Sequence, residues 1–370
     1  MVIYQITKFA DCDKYEFTVC GCLQSGHYEH VFKENGIDVE STAITRRSIV
    51  LFPLFVYDVL RTLFKLLRII KSREIDIIHT HLTDSSIYGV IAGKILGKPV
   101  IVTIHNNIIM PYKRWAPIRN WLRKKATKAM FSQAAVVIGV GDDIGKSMRE
   151  QGLLSERTPI AIILNGVDYD KFAQPRNVEQ IRESLELPSG SKVISCVSRL
   201  EISKGQTYLI QATARLKEKF PLLRVLLVGD GSLLQELQEQ AKQAGVLEQV
   251  RFLGRRSDVP EILAASDIFV LPSIHEGVPL VVLEAMASQK PVVATNIPGT
   301  RELIADGDDG FLVTAKDDVS LAERIDELLS NPDFANSMGK TAQAKVERQF
   351  TAKMMVKKVE TVYQNVMEIQ

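Results

Sequence analysis

Residues 268–295 read IFVLPSIHEGVPLVVLEAMASQKPVVAT. Two short apolar runs, IFVLPS (268–273) and PVVAT (291–295), enclose a loop and a helical run, LVVLEAMAS (280–288). Nearly continuous apolar runs rich in β-branched residues are expected for strands buried on both faces of a parallel sheet. Strand, loop, helix and strand make a βαβ unit, and Pro279 suits the first turn of its helix. Glu284 follows Leu280 by one turn and shares its face. A carboxylate set among Val281, Val282, Leu283, Ala285 and Met286 needs a partner.

The same grammar extends outward in both directions. KVISCVS (192–198), RVLLVG (224–229), VRFLG (250–254) and GFLVT (310–314) read as further strands. Between them GQTYLIQATARLKEKF and LLQELQEQAKQAG carry apolar residues at helical spacing. The first half repeats the pattern less regularly, with strands at YEFTVCGC (15–22), DIIHTH (76–81), PVIVTIH (99–105), AVVIGV (135–140) and IAIILN (160–165). A chain of 370 residues exceeds one ordinary core and fits two domains. The expected fold class is therefore α/β, two Rossmann-like doubly wound domains joined near residue 170 and facing across a cleft. In such sheets ligands bind beyond the carboxyl ends of the strands, so the informative residues should follow strands.

Composition excludes several classes. Hydrophobic residues make up 46% and charged residues 24%, ordinary for a soluble globular protein. The most apolar stretch, SIVLFPLFVYDVLRTLFKLLRII, is interrupted by Asp58, Arg61, Lys65 and Arg68, and reads as an amphipathic helix rather than a bilayer span. Cys12, Cys20, Cys22 and Cys196 form no CxxC pair, which points to reduced, buried thiols in a cytosolic protein. Net charge is +2, divided as +7 over residues 1–165 and −5 over the rest. The basic half should meet something anionic. Near-neutral total charge and the absence of a recognisable module argue against nucleic-acid binding.

After KVISCVS come Arg199 and Lys204, two cations flanking a helix start and suited to a diphosphate. Solvated loop charges are the plainer alternative for such a pair. Gly229 opens a tight Gly-Asp-Gly turn, and Arg255 and Arg256 follow VRFLG, either at a pocket rim or simply exposed. Glu284 can accept both hydrogen bonds of a vicinal diol such as a ribose, and Glu276 can hold a second polyol, a sugar. His105 ends PVIVTIH, where a histidine can donate a hydrogen bond or act as acid or base. His79 and His81 end another strand, but no third ligand stands near enough in sequence for zinc.

Taken in order, HTHLTDSSIYG, VTIHN, ILNGVDYDKF, SRLEISKG, LLVGDG, FLGRRSDV and HEGVPLVVLEAMASQKPVVATNIPGTRELI resemble the retaining glycosyltransferases of family 4, which have the GT-B fold. The resemblance covers nearly the whole chain and includes the two glutamates of an E-x7-E pattern, Glu276 and Glu284. It implies an acceptor-side domain over 1–168, a nucleotide-sugar domain over 169–350, and a closing helix over 351–370 that crosses back to the first domain. It implies that Arg199 and Lys204 contact the donor diphosphate and that Glu276 and His105 serve the sugar. It implies that Gly277, Val278, Pro279, Leu280 and Val281 meet the donor, that Glu284 holds the ribose, and that Arg255 edges the base pocket. The implied reaction moves a hexose-type sugar from a nucleotide diphosphate donor, UDP in preference to GDP, to a glycan or lipid-linked acceptor. Retention is implied by the resemblance alone. Two cations and a helix N-terminus meet the departing charge, so no metal and no other cofactor is expected.

The sequence departs from the family pattern at its start. VIYQITKFA reads as the family's first helix and YEFTVC as its second strand, so the first strand and its glycine-rich loop are expected to be missing. That departure keeps an inactive sugar-nucleotide binding protein open as a reading, beside a GT-B sugar-nucleotide epimerase. YKRWAPIRNWLRKKATKAMF (112–131) interleaves seven cations with tryptophans, and reads as a helix that lies on an anionic membrane or as a solvated face over an apolar stripe. The expected location is the cytoplasm, peripheral on the inner membrane face.

Overall fold

The structure is a computed structural model that describes residues 1–21, 28–42, 52–105 and 117–368. Its strands are β1 (Thr18–Gly21), β2 (Asp38–Ser41), β3 (Ile78–His81), β4 (Val100–Ile104), β5 (Val136–Gly139), β6 (Ile160–Ile162), β7 (Val193–Val197), β8 (Arg224–Val228), β9 (Val250–Gly254), β10 (Ile268–Leu271), β11 (Val292–Thr295) and β12 (Phe311–Val313). Its helices are α1 (Val2–Phe9), α2 (Tyr28–Glu34), α3 (Phe52–Ser72), α4 (Thr83–Leu96), α5 (Pro117–Gln133), α6 (Asp142–Glu150), α7 (Tyr169–Ala173), α8 (Val178–Ser184), α9 (Gln206–Leu216), α10 (Leu234–Gln243), α11 (Val259–Ala265), α12 (Leu280–Ala287), α13 (Pro298–Arg301), α14 (Asp318–Ser330), α15 (Pro332–Gln349) and α16 (Ala352–Glu368). The chain divides into one compact unit of Met1–Leu164 with Met355–Gln370 and a second of Asn165–Met354. Each is a Rossmann-like α/β unit with parallel strands.

The second unit is one six-stranded sheet in the order β12-β11-β10-β7-β8-β9. Its interior strands are buried along their whole length, Val225, Leu226 and Leu227 completely, which is why they read as unbroken apolar runs. From β7 the chain steps outward through β8 and β9, then returns to the other side of β7 for β10, β11 and β12. The direction of travel reverses between β7 and β10, which pair with Ile268 opposite Ile194. Such a switch point opens a crevice at the carboxyl ends of the two strands.

The first unit has its strands in two separate parallel sheets, β1 with β2 and β3-β4-β5-β6. β2, in IDVES, was not expected from the sequence. It is short and charged, and its outer residues Asp38 and Ser41 are exposed, so it carries neither an apolar run nor clean alternation. α16 buries Met355, Val356, Val359, Val362, Tyr363 and Val366 against Ile6, Ile101, Ile138 and Ile163. Their spacing follows one face of a helix. Beside them His79 is fully engaged. Its Nδ1 lies 2.7 Å from the Tyr363 hydroxyl and its Nε2 2.7 Å from Thr103 Oγ1. Burial drives the His79 pKa down to about 3.

The expectation of uniformly buried thiols needs correction. Cys196 is buried, but Cys12 is exposed in the turn after α1, where no strand or helix covers it. Cys22 lies outside the described residues.

Two outcomes follow from this packing. A Cβ at Gly299 would overlap the Gly277 carbonyl oxygen, a backbone atom that cannot turn aside. Gly299→Ala should lower unfolding stability by about 2–3 kcal/mol. Gly97→Ala, at a left-handed φ of +65° but in open space, should cost about 1 kcal/mol; paired denaturant titrations read the difference. The second outcome concerns pH. The unfolded chain takes up a proton on His79 near its ordinary value of 6.5, whereas the folded chain refuses it until about 3. Acid therefore favours the unfolded state, and the melting temperature should fall as pH drops from 6.5 toward 4. His79→Phe, which cannot titrate, should show a shallower decline.

Candidate functional site

The switch point gathers most of the residues marked in the sequence. After β7 the chain passes through Ser198 and Arg199 and makes a 3-10 turn, Ile202–Lys204. The turn ends at Gly205, whose left-handed φ of +67° and contact with the Pro272 carbonyl exclude a side chain. Gly205 thus fits the start of α9 against the end of β10. Gln206 Nε2 donates to Ser198 Oγ at 2.8 Å and to the Arg199 carbonyl at 2.7 Å, which fixes the loop backbone. The Arg199 guanidinium itself is exposed, with no hydrogen-bond or ion-pair partner among the described residues.

Lys204 points the other way. Its ammonium lies 2.6 Å from Glu276 Oε1, and the two side chains are only 16% and 13% exposed. Ser273 Oγ donates to the same oxygen at 2.8 Å. The family resemblance implies separate tasks for these two residues, one on phosphate and one on sugar. In the structure they are a single buried pair, with Ser273 as a member that sequence reasoning missed. Its only signal was its position, directly after an apolar strand and three residues before Glu276. A pair this buried holds both groups in one geometry, because separating them without a replacement leaves a desolvated charge.

From β10 the loop runs through Gly277 and Val278, both buried, with Asn165 Nδ2 donating to the Val278 carbonyl at 2.9 Å. Pro279 does not sit in the first turn of α12 as expected. It caps the helix with extended backbone at φ −75° and ψ 111°, and Leu280 is the first helical residue. The φ of proline fits both positions, so the sequence could not separate them. No side chain caps α12, so its first amides, at Leu280 and Val281, face outward without a side-chain acceptor.

Glu284 sits one turn into α12, flanked by buried Leu283 and Ala285. Burial pushes its pKa up to about 7, against a smaller opposing pull from Lys171. Its carboxylate has no hydrogen-bond or ion-pair partner among the described residues. The residue is partly exposed, so its carboxylate is open to a ligand.

The neighbouring strand ends are tied in. The Gly229 amide donates to the Gly254 carbonyl at 2.8 Å, and the Leu200 amide to the Asp230 carbonyl at 2.8 Å. Of the two arginines after β9, Arg256 is held by Asp258 through two contacts of 2.8 and 2.5 Å. Arg255 is exposed and has no such partner among the described residues. The site of the second unit therefore comprises two unpaired guanidiniums, a buried Lys–Glu–Ser cluster, an uncapped helix start and an orphan carboxylate. It suits a ligand with a diphosphate and diols.

His105 belongs to the first unit and directly follows β4. His81 ends the adjacent β3, where it lies opposite Thr103 in the ladder. His81 Nδ1 is 2.9 Å from His105 Nε2. Their ring centroids are 5.2 Å apart and their planes differ by 24°. That separation is the N···N distance plus about two ring radii, so the rings meet edge to edge through an in-plane hydrogen bond. Burial lowers His105 to about 4 and His81 well below its ordinary value, so both are neutral and one donates to the other. The sequence marked all three histidines, but pairing them required the strand register.

Comparison with known proteins places the chain in a family. The sequence model described as Glycosyl transferases group 1 matches residues 177–345, and that described as Glycosyltransferase Family 4 matches residues 2–171. The UDP-Gal:alpha-D-GlcNAc-diphosphoundecaprenol alpha-1,3-galactosyltransferase of Escherichia coli is 31% identical over 311 residues, covering 82% of this chain and 79% of that protein. The N-acetyl-alpha-D-glucosaminyl L-malate synthase of Bacillus anthracis is 26% identical over 306 residues, covering 82% and 78%. Among solved structures, Anabaena Alr3699/HepE in complex with UDP-glucose superposes with a TM-score of 0.83 at 22% identity, over 98% of this chain and 95% of that one. The fold is that of the GT-B glycosyltransferases, and the chain belongs to the group 1 (family 4) glycosyltransferases.

Proposed function

We propose that this glycosyltransferase moves a hexose-type sugar from a UDP-sugar to a glycan or lipid-linked acceptor, with retention, in cell-surface polysaccharide synthesis. The observation that carries the reading is the Lys204–Glu276 pair after β7 and β10, with the open carboxylate of Glu284 on the helix that follows, at one switch point. The named activity of the Escherichia coli relative supports a UDP-sugar donor and a diphosphoundecaprenol-linked acceptor.

Breaking the anomeric bond leaves negative charge on the departing diphosphate. Arg199 and Lys204 meet that charge, and the uncapped amides of α12 add to it. Glu276, which holds Lys204 in the free protein, accepts from sugar hydroxyls. Glu284 takes the ribose diol, with Gly229 and Arg255 at the edge of the nucleotide. Gly277, Val278, Pro279, Leu280 and Val281 supply the backbone against the donor, and His105 donates to the sugar. No metal is needed for this step.

A donor-binding protein without transferase activity is the second reading. An assay with a lipid-linked acceptor separates the two readings, because donor binding without transfer selects the second.

Residues 112–131 are proposed to rest on an anionic membrane at the inner face. Trp121 and Leu122 of α5 are exposed beside Lys124, Lys125 and Lys128, and the Lys125 ammonium lies 3.9 Å over the Trp121 ring. Lys113, Arg114 and Trp115 lie outside the described residues. No helix among the described residues is long and apolar enough to cross a membrane.

The test is calorimetric titration with UDP- and GDP-sugars. One UDP-sugar should bind saturably, and Glu284→Ala should weaken it about 10- to 100-fold. Ribose hydroxyls favour the ionised carboxylate, so binding should lower the Glu284 pKa from about 7 and release protons. Affinity should therefore rise from pH 5.5 to 7.5, and Glu284→Gln should abolish that slope. Equal binding by wild type and Glu284→Ala would remove the ribose assignment.

A further inference from the structure

Between Tyr57 and Phe64, α3 is turned inside out. Asp58 and Thr62, four residues apart, are buried, while Tyr57, Leu60 and Phe64 are 60%, 60% and 68% exposed. A helix on a water-soluble protein normally does the opposite. The exposed apolar residues recur at the spacing of one helical stripe, which continues through Arg61, Arg68 and Lys71, all exposed. Asp58 is the sole acidic residue of α3 and faces inward, so the outward stripe offers only apolar and cationic groups.

The neighbouring helices share this character. α4 packs against α3, and α5 against α4. α4 exposes Ile91 and Ile95 on either side of Lys94. Together the three helices contain ten lysines and arginines against two aspartates. We propose that the outward stripe of α3 lies on an anionic lipid bilayer, with Tyr57, Leu60 and Phe64 at the level of the headgroups and acyl chains and Arg61, Arg68 and Lys71 on lipid phosphates.

Charge selects this occupant. An anionic bilayer is apolar within and negative at its surface, which complements the stripe in both respects. A second copy of the chain would bring two cationic stripes together, and like charges facing each other repel. The inference deepens the membrane part of the reading above, on residues outside 112–131. It widens the contact from one helix to a face of three, and brings the protein to the surface that holds a lipid-linked acceptor.

The experiment is co-sedimentation of the full chain with phosphatidylcholine vesicles, with and without phosphatidylglycerol. UDP-sugar binding is measured in parallel on every variant. The wild type should sediment only with the anionic vesicles and be released by salt. L60S/F64S removes two exposed side chains, should fold normally, and should reduce partitioning at least tenfold. R61Q/R68Q should reduce it about tenfold or more. A fluorophore on Leu60→Cys should report an apolar environment when anionic vesicles are added. The inference is overturned by absence of sedimentation, or by an L60S/F64S variant that binds vesicles like the wild type. It is also overturned if Trp121→Ser alone abolishes binding while the Leu60→Cys probe stays in water, or if L60S/F64S changes only the oligomeric state in light scattering. Retained donor binding with no lipid binding would sink this inference and leave the transferase reading intact. Lipid binding without donor binding would do the reverse.

Discussion

The largely buried contact of Lys204 with Glu276 is the constraint on which the switch point of the second unit depends. It joins the loop after β7 to the loop after β10, the two strands at which chain direction reverses. Two buried charges of opposite sign hold each other only while both stay in place. Gly205 brings the turn close enough to the end of β10, and Ser273 gives Glu276 a second partner. The pair is also a built-in point of exchange. A diphosphate can take the lysine and a sugar hydroxyl the glutamate, so ligand contacts replace a protein contact without stranding either charge.

Glu284 contrasts with that pair. Glu276 is held within the chain by Lys204 and Ser273, whereas burial raises the Glu284 pKa to about 7. The two glutamates, eight residues apart, differ in their partners: Glu276 is tied to a cation, and Glu284 has no ion-pair partner among the described residues.

Much of this was legible because it is local. The interior strands of the second unit are buried almost throughout, so each left a nearly continuous apolar run in the sequence. The segments after those strands could then be marked, with Arg199, Lys204 and Glu276 in the loops and Glu284 in the helix that follows the second. What escaped depends on partners distant in sequence. β2 is a strand only because β1 lies beside it. Ser273 matters through Glu276, and His81 through the register that sets β3 beside β4. Arg255 and Arg256 look alike in sequence, and only Asp258 distinguishes the occupied guanidinium from the exposed one. The inverted face of α3 was likewise invisible, since the sequence shows amphipathicity but not which side is turned to water.

The central claim is that the loops after β7 and β10 form one nucleotide-sugar site. Hydrogen–deuterium exchange with saturating UDP tests it most directly. The account predicts slowed exchange concentrated in residues 198–206 and 272–285, with smaller effects around 229–231 and 255. Saturable UDP binding that left both loops unprotected, or protected some other part of the second unit, would contradict it.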